Sequence, residues 1–141
     1  MDPRILVPID GSTTSEKTML AILADRERFP LPLVLLHVLD IDKFAYRMIP
    51  DFQVDMIREN ARRAGELLLQ KQLPRFLDAG FQAETRLEMG SPREVVTRLA
   101  NEENIALVVL GRRRQGEVRD ILFGSVSNYV LHHVRCPVLL F

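Results

Sequence analysis

The chain has 141 residues, 47% of them hydrophobic and 27% charged, with a formal net charge of zero. That length suits one compact domain spanning residues 1–141, and the apolar-to-charged balance excludes a disordered chain and a membrane class. Zero net charge and few aromatic residues (6%) argue against a general polyanion binder and against a stacking surface for nucleic acid.

The amino terminus, Met1-Asp2-Pro3-Arg4, enters strand-like sequence at once, so no signal peptide is expected, and no apolar run is long enough to span a bilayer. Ile5-Leu6-Val7 is a short apolar strand ended by Pro8. Asp10-Gly11-Ser12 follows as a turn or helix-entry signal. Ser15 to about Arg28 carries an apolar stripe, Met19, Leu20, Ile22 and Leu23, and is predicted to be a helix. Leu33 to Leu39 is apolar on both faces apart from His37, which places it inside a sheet covered on both sides.

Asp40 to Pro50 reads as a mixed linker. Helical periodicity then runs from Asp51 to Ala79, with Gly80 as its stop. Pro74 lies inside it and removes an amide, so a kink or split is expected near Leu73. From Gln82 to Met89 the pattern changes: Ala83, Thr85, Leu87 and Met89 alternate with Glu84, Arg86 and Glu88. One charged face predicts a strand at the sheet edge. Ser91-Pro92-Arg93-Glu94 is a capping box with proline at the first helical position, opening a helix to about Glu103.

Ile105 to Leu110 is a fourth strand, and it leads into Gly111 and the basic stretch Arg112-Arg113-Arg114. Gly124 then opens a last helix that begins Ser125-Val126-Ser127. A strand, a basic glycine loop and a helix start with free amides form a cradle for phosphates, so an anionic small ligand, a nucleotide above all, is expected there. Pro137 to Phe141 is a final apolar strand. Five strands alternating with four helices predict an α/β fold with one doubly wound parallel sheet. Ligands of such sheets sit at the carboxyl ends of the strands, where Asp10 and Gly111 both fall.

Other chemistry is not supported. His37 alternates with Leu33 and Leu35 on one strand face, the pattern of a hydrogen-bonded core histidine rather than a catalytic one. His132 and His133 sit where a helix end favours positive charge. No spacing among these three histidines resembles a zinc site. Cys136 is the single cysteine, so it forms no internal disulfide; it reads as packing in a protein of a reducing, cytoplasmic compartment. There is no Walker-type lysine loop and no evident general base beside the expected phosphates, so no catalytic residue is assigned and fast hydrolysis is not expected.

Over nearly its full length the chain resembles the universal stress protein family. The likeness is carried by Val7-Pro8-Ile9-Asp10-Gly11-Ser12, by Leu35-Leu36-His37-Val38, by Glu88-Met89-Gly90-Ser91-Pro92, and by Gly111 to Ser127 followed by Cys136-Pro137-Val138-Leu139. The resemblance implies strand order 3-2-1-4-5, with Asp10 and Gly111 brought together between the first and fourth strands. It assigns the Asp10 carboxylate to ribose hydroxyls, although on residues alone Asp10-Gly11-Ser12 is a helix-entry turn. It makes Pro8 part of the same wall and the Val38 backbone the reader of the adenine edge. Gly111, Arg112 and Arg113 would bring amides and positive charge to phosphates, together with Gly124, Ser125, Val126 and Ser127 at the last helix start.

The ATP-binding branch of the family spaces its glycines as a glycine, two residues, a glycine, nine residues, then glycine with serine or threonine. Here Gly111 and Gly124-Ser125 match, and Arg114 stands at the middle glycine. Left-handed geometry at an arginine costs roughly 1 kcal/mol. Arg114 either keeps ordinary geometry and offers its guanidinium to the phosphates, or fills the space they would take. The expected ligand is ATP, with Mg or Mn on its phosphates, in a small regulatory or sensor protein of the stress response that acts on an unknown protein partner. The alternative is a nucleotide-free interaction module. The apolar last strand, 137–141, ends the chain at a sheet edge and predicts a symmetric homodimer through that strand; neither nucleic acid nor membrane is expected as a partner.

Overall fold

The computed structural model describes residues 2–40, 49–112 and 125–141. Arg113, Arg114, Gly124 and most of the 40–50 linker lie outside the described residues. In chain order the elements are β1 (Arg4–Pro8), α1 (Thr13–Leu23), a 3-10 turn (Arg26–Arg28), β2 (Leu33–Leu39), α2 (Asp51–Asp78), β3 (Ala83–Met89), α3 (Pro92–Glu102), β4 (Ile105–Leu110), α4 (Ser125–His133) and β5 (Val138–Leu140). The five strands form one sheet in the order β3-β2-β1-β4-β5, and every pairing is parallel. This is the doubly wound α/β sheet that the alternation of elements predicts.

Alternate residues of each interior strand feed two cores. Ile5, Val7, Leu33, Leu35 and Val109 pack with Met19 and Ile22 of α1 and with Leu69 and Phe76 of α2. Leu6, Val34, Leu36, Val108 and Leu110 pack on the other face with Val95, Val96 and Leu99 of α3 and Val130 of α4. β2 is buried on both faces from Leu33 to Leu36, as its unbroken apolar run requires. Edge strand β3 carries no fully buried residue. Cys136 packs at the margin of the second core, where burial pushes its thiol pKa up.

Three local expectations are corrected. The first helix ends at Leu23, not near Arg28; Ala24 and Asp25 intervene before a separate 3-10 turn at Arg26–Arg28. α2 is not split at Pro74 but runs unbroken from Asp51 to Asp78. Leu69, Gln72 and Phe76 are buried on either side of the proline, and that packing holds the turn despite one missing amide. Ser91 is the N-cap of α3 but makes no side-chain cap bond; its backbone carbonyl accepts from the Glu94 and Val95 amides at 3.1 and 2.9 Å. The end of α3 is as expected, at Glu102 with Glu103 as its C-cap. Gly80 is at φ +89° just past the C-cap of α2, the backbone conformation that makes glycine a helix stop.

Candidate functional site

Pro8 opens the crevice. The backbone of β1 alternates: Arg4 turns its amide to β4, donating to the Asn104 carbonyl, while Ile5 and Ile9 donate to Pro32 and Leu36 of the β2 side. By that alternation Pro8 faces β4, and proline has no N–H to give. The β1–β4 register accordingly stops at Leu6–Val108, while β1–β2 continues to Pro8–Leu36. Beyond this point lies a cleft of about 640 Å³, walled by the carboxyl ends of β1, β2 and β4, by α2 and by the first turns of α1 and α4. It is the switch point of the sheet, between strands whose crossovers leave in opposite directions.

Two backbone segments face into this gap. In β2, Leu33 donates to Gln82 and Leu39 accepts from Gly90, both toward β3, whereas Pro32 and Leu36 accept from β1. Even-numbered residues of β2 therefore present their polar groups to β1, and Val38 does so where β1 has ended. In β4, Val108 donates to Pro137, Leu110 accepts from Phe141 and Arg112 donates to Phe141, all toward β5. Gly111, between them, turns its amide to the β1 side.

Asp10 lies on the exposed lip of the cleft. Its Oδ1 accepts the Ser12 amide at 2.8 Å, and its own amide donates to Ser15 Oγ at 3.0 Å. Ser12 Oγ in turn accepts the Ser15 amide at 3.1 Å as the N-cap of α1. This turn leaves the carboxylate further acceptor capacity. Gly111 is held from two sides. A Cβ there would overlap the Thr18 hydroxyl and come within 2.6 Å of Thr14 Cγ2, so α1 can seat on the strand end because the residue is glycine. Across the strand, Ser127 Oγ donates to the Gly111 carbonyl at 3.2 Å.

Pro8, Asp10, Val38, Gly111, Val126 and Ser127 thus line one cleft. Arg112 and Ser125 do not line it. The Arg112 amide is already donated to the Phe141 carbonyl at 2.9 Å, so from this residue the guanidinium, not the backbone, is left for an anion. Arg113, Arg114 and Gly124 lie outside the described residues. Among the described residues, no group of three or more His, Cys, Asp or Glu side chains is placed to hold a metal ion.

Sequence reasoning gave three parts of the wall no role in the site, His37 among them, which it read as a hydrogen-bonded core histidine. His37 is half-buried and lines the cleft, and its Nδ1–H donates to the Ile9 carbonyl at 2.9 Å. Ala61, Ala64, Gly65 and Leu68 of α2 lie along the same cleft. Their spacing puts them on one helix face, and small residues at that spacing were the available signal. Thr14 and Thr18 complete the floor; the Thr18 hydroxyl donates back to the Thr14 carbonyl at 2.9 Å.

Several known proteins are similar to this chain in sequence or fold. Universal stress protein YxiE of Bacillus subtilis is 29% identical over 145 residues, covering 97% of each chain. A putative universal stress protein of Staphylococcus aureus strain USA300 is 30% identical over 138 residues, covering 96% of this chain and 81% of that one. The fold matches that of hypothetical protein MJ0577 with a TM-score of 0.84, at 23% identity over 97% of this chain and 93% of that one. More distant structures of the same fold include a universal stress protein in complex with cAMP (TM-score 0.65), an Arabidopsis thaliana family member with AMP bound (0.71) and an Archaeoglobus fulgidus member in complex with dAMP (0.63). These three share 18–20% identity with this chain over 99% of its length and cover 91–97% of their own. The universal stress protein family model matches residues 1–141. The chain belongs to the universal stress protein family.

Proposed function

We propose that the crevice binds an adenine nucleotide, ATP with Mg or Mn on its phosphates, and that the protein serves in the cytoplasm as a small sensor or regulator of the stress response rather than as an enzyme. The observation that carries this reading is the pair of backbone segments at Val38 and Gly111, turned toward each other across the end of β1 with Asp10 on the lip. A purine edge needs a neighbouring donor and acceptor, which a strand residue without a ladder partner supplies. Asp10 would take the ribose hydroxyls with the oxygen capacity its turn leaves over. The Gly111 amide, the start of α4 at Ser125-Val126-Ser127 and the charge of Arg112 would meet the phosphates, joined by Arg113, Arg114 and Gly124. The divalent ion would enter on the phosphate oxygens, because the described side chains form no ligand cluster of their own. The adenine nucleotides seen in relatives of the same fold support the choice of ligand class.

The test is calorimetric titration with ATP and AMP, with and without magnesium. Saturable binding is expected, weakened roughly tenfold in Asp10→Asn, the loss of about one good hydrogen bond. Asparagine still accepts the Ser12 amide, so the turn and the stability should survive. No saturable binding of either nucleotide overturns the reading. The second reading, a nucleotide-free interaction module working on a protein partner, draws on the committed Arg112 amide and on Arg114 at the middle glycine position.

In both readings a homodimer would form through the C-terminal strand, 137–141. β5 is an edge strand of the sheet, and Val138, Leu139 and Leu140 remain half-buried. A dimer mass in light scattering at micromolar concentration is expected, falling to the monomer in Leu139→Lys; a monomeric wild-type protein would rule this interface out.

A further inference from the structure

We propose that His37 is a positioning residue: by occupying the Ile9 carbonyl, one residue past the end of β1, it keeps the Val38 amide out of the sheet ladder and free for a ligand. The inference deepens the nucleotide reading and rests on it for the ligand's identity.

The register makes the competition explicit. Pro8 pairs with Leu36, and the Ile9 amide donates to the Leu36 carbonyl at 2.7 Å. In a parallel ladder the next bond runs from the Val38 amide to the Ile9 carbonyl. That bond is not made. Ile9 is 4% exposed, so its carbonyl needs a protein partner, and the His37 ring supplies it through Nδ1 at 2.9 Å. Among the described residues the Val38 amide has no hydrogen-bond partner, although Val38 remains in register with Glu88 of β3 and lines the cleft. One side chain has replaced one backbone donor, and the donor displaced is the one facing the gap.

The ring is held in this pose from above. Gly65 of α2 lies over it so closely that a Cβ there would come within 2.9 Å of His37 Cδ2. Because a carbonyl can only accept, Nδ1 must carry the hydrogen, and it does so in either charge state of the imidazole. The contact with Ile9 is therefore independent of protonation at Nε2.

Amide hydrogen exchange of the full chain, followed by NMR, tests this directly. In the ligand-free protein the Val38 amide should exchange fast while the Leu36 amide, inside the β1–β2 ladder, is protected; saturating AMP should slow Val38. In His37→Leu the Ile9 carbonyl is released, so the Val38 amide should close onto it, exchange roughly tenfold or more slowly without ligand, and AMP affinity should fall roughly tenfold. His37→Asn places an N–H as many bonds from the backbone as Nδ1 and should restore both properties; a purely packing role would not be rescued by so small a side chain. Should His37→Leu fail to fold, His37→Phe, which keeps a ring over the site but has no donor, carries the same comparison. A Val38 amide already protected in the free wild-type protein, or unchanged in the variant that frees Ile9, overturns the proposal. If AMP does not bind the wild-type protein, the nucleotide reading fails separately, and the exchange rates still decide the role of His37.

Discussion

The two flanks of the crevice are both closed by a glycine, but what each glycine meets is different. On the β2 flank, Gly65 lets α2 settle over His37 Cδ2, Leu87 Cδ1 and Leu39 Cδ2, at 2.9, 3.0 and 3.3 Å from where a Cβ would stand. All three are ends of side chains. On the β4 flank, Gly111 meets the Thr18 hydroxyl, Thr14 Cγ2 and, at 3.1 Å, the Thr14 carbonyl. Thr14 belongs to the first turn of α1, whose N-cap, Ser12, is tied to Asp10, so this contact is backed by main chain. The leucine ends give way by rotating and the His37 ring, pinned only through Nδ1, by tilting; a capped helix start moves as a body. The β2 flank is thus the adaptable wall of the site and the β4 flank the rigid one.

The sharpest break of this comparison is Gly111→Ala. With backbone behind the overlap, it should destabilise the protein by about 2–3 kcal/mol, within the range for overpacking. Urea denaturation would measure it. Adding Thr18→Ala removes the nearest atom and should recover part of the loss; full independence of the two substitutions would mean the contact does not exist. Gly65→Ala is the smaller perturbation. Replacing a mid-helix glycine gains up to about 1 kcal/mol of helix propensity. Crowding of His37, Leu87 and Leu39 opposes that gain by a similar amount, so stability should change by less than about 1 kcal/mol. The same substitution should still shift the His37 ring and Val38 amide resonances in NMR spectra. A silent spectrum would show that α2 does not bear on the ring.

The difference between the flanks also marks what the sequence could reveal. Element order, the doubly apolar β2 and the alternating β3 are short-range patterns, and they placed the sheet, its interior and its charged edge. The Asp10 turn and the Gly80 stop are equally local. Gly65 carried only the faint signal of small residues on one helix face, because a helical glycine by itself reads as a weakness until the histidine beneath it is known. Gly111 was legible as a special position, yet the feature that requires glycine there is a threonine pair nearly a hundred residues earlier in the chain. The Arg112 amide was assigned to a phosphate because its partner, the Phe141 carbonyl, becomes available once β5 has paired with β4. At Pro74 the missing amide was visible but the burial of Leu69 and Phe76 was not. Each of these depends on a contact between elements far apart in sequence, where propensity and periodicity have no reach.

One ion pair ties the two flanks together, and it sets the smallest effect. Glu16 of α1 accepts from both terminal nitrogens of Arg75 of α2, at 2.8 and 2.9 Å, and Arg75 also donates to Gln72 Oε1 at 2.6 Å. The hydrogen bonds from Arg75 hold the Glu16 carboxyl below its usual pKa, against the opposing effect of burial. A carboxyl with a depressed folded pKa stabilises the fold fully above its unfolded value, and that contribution is lost as pH falls through the folded one. Because the Glu16 side chain is 43% exposed, solvent screening limits the pair to about 0.5 kcal/mol. Glu16→Gln should therefore lower stability by that small amount at neutral pH, and the gap from wild type should close as the pH drops below the usual carboxylate range. If the pair also sets the spacing between the rigid α1 and the adaptable α2, the variant should broaden the Val38 and Gly65 amide signals while leaving Gly111 sharp. Equal broadening on both sides would mean that the walls of the cleft move as one, and that the division drawn between them is wrong.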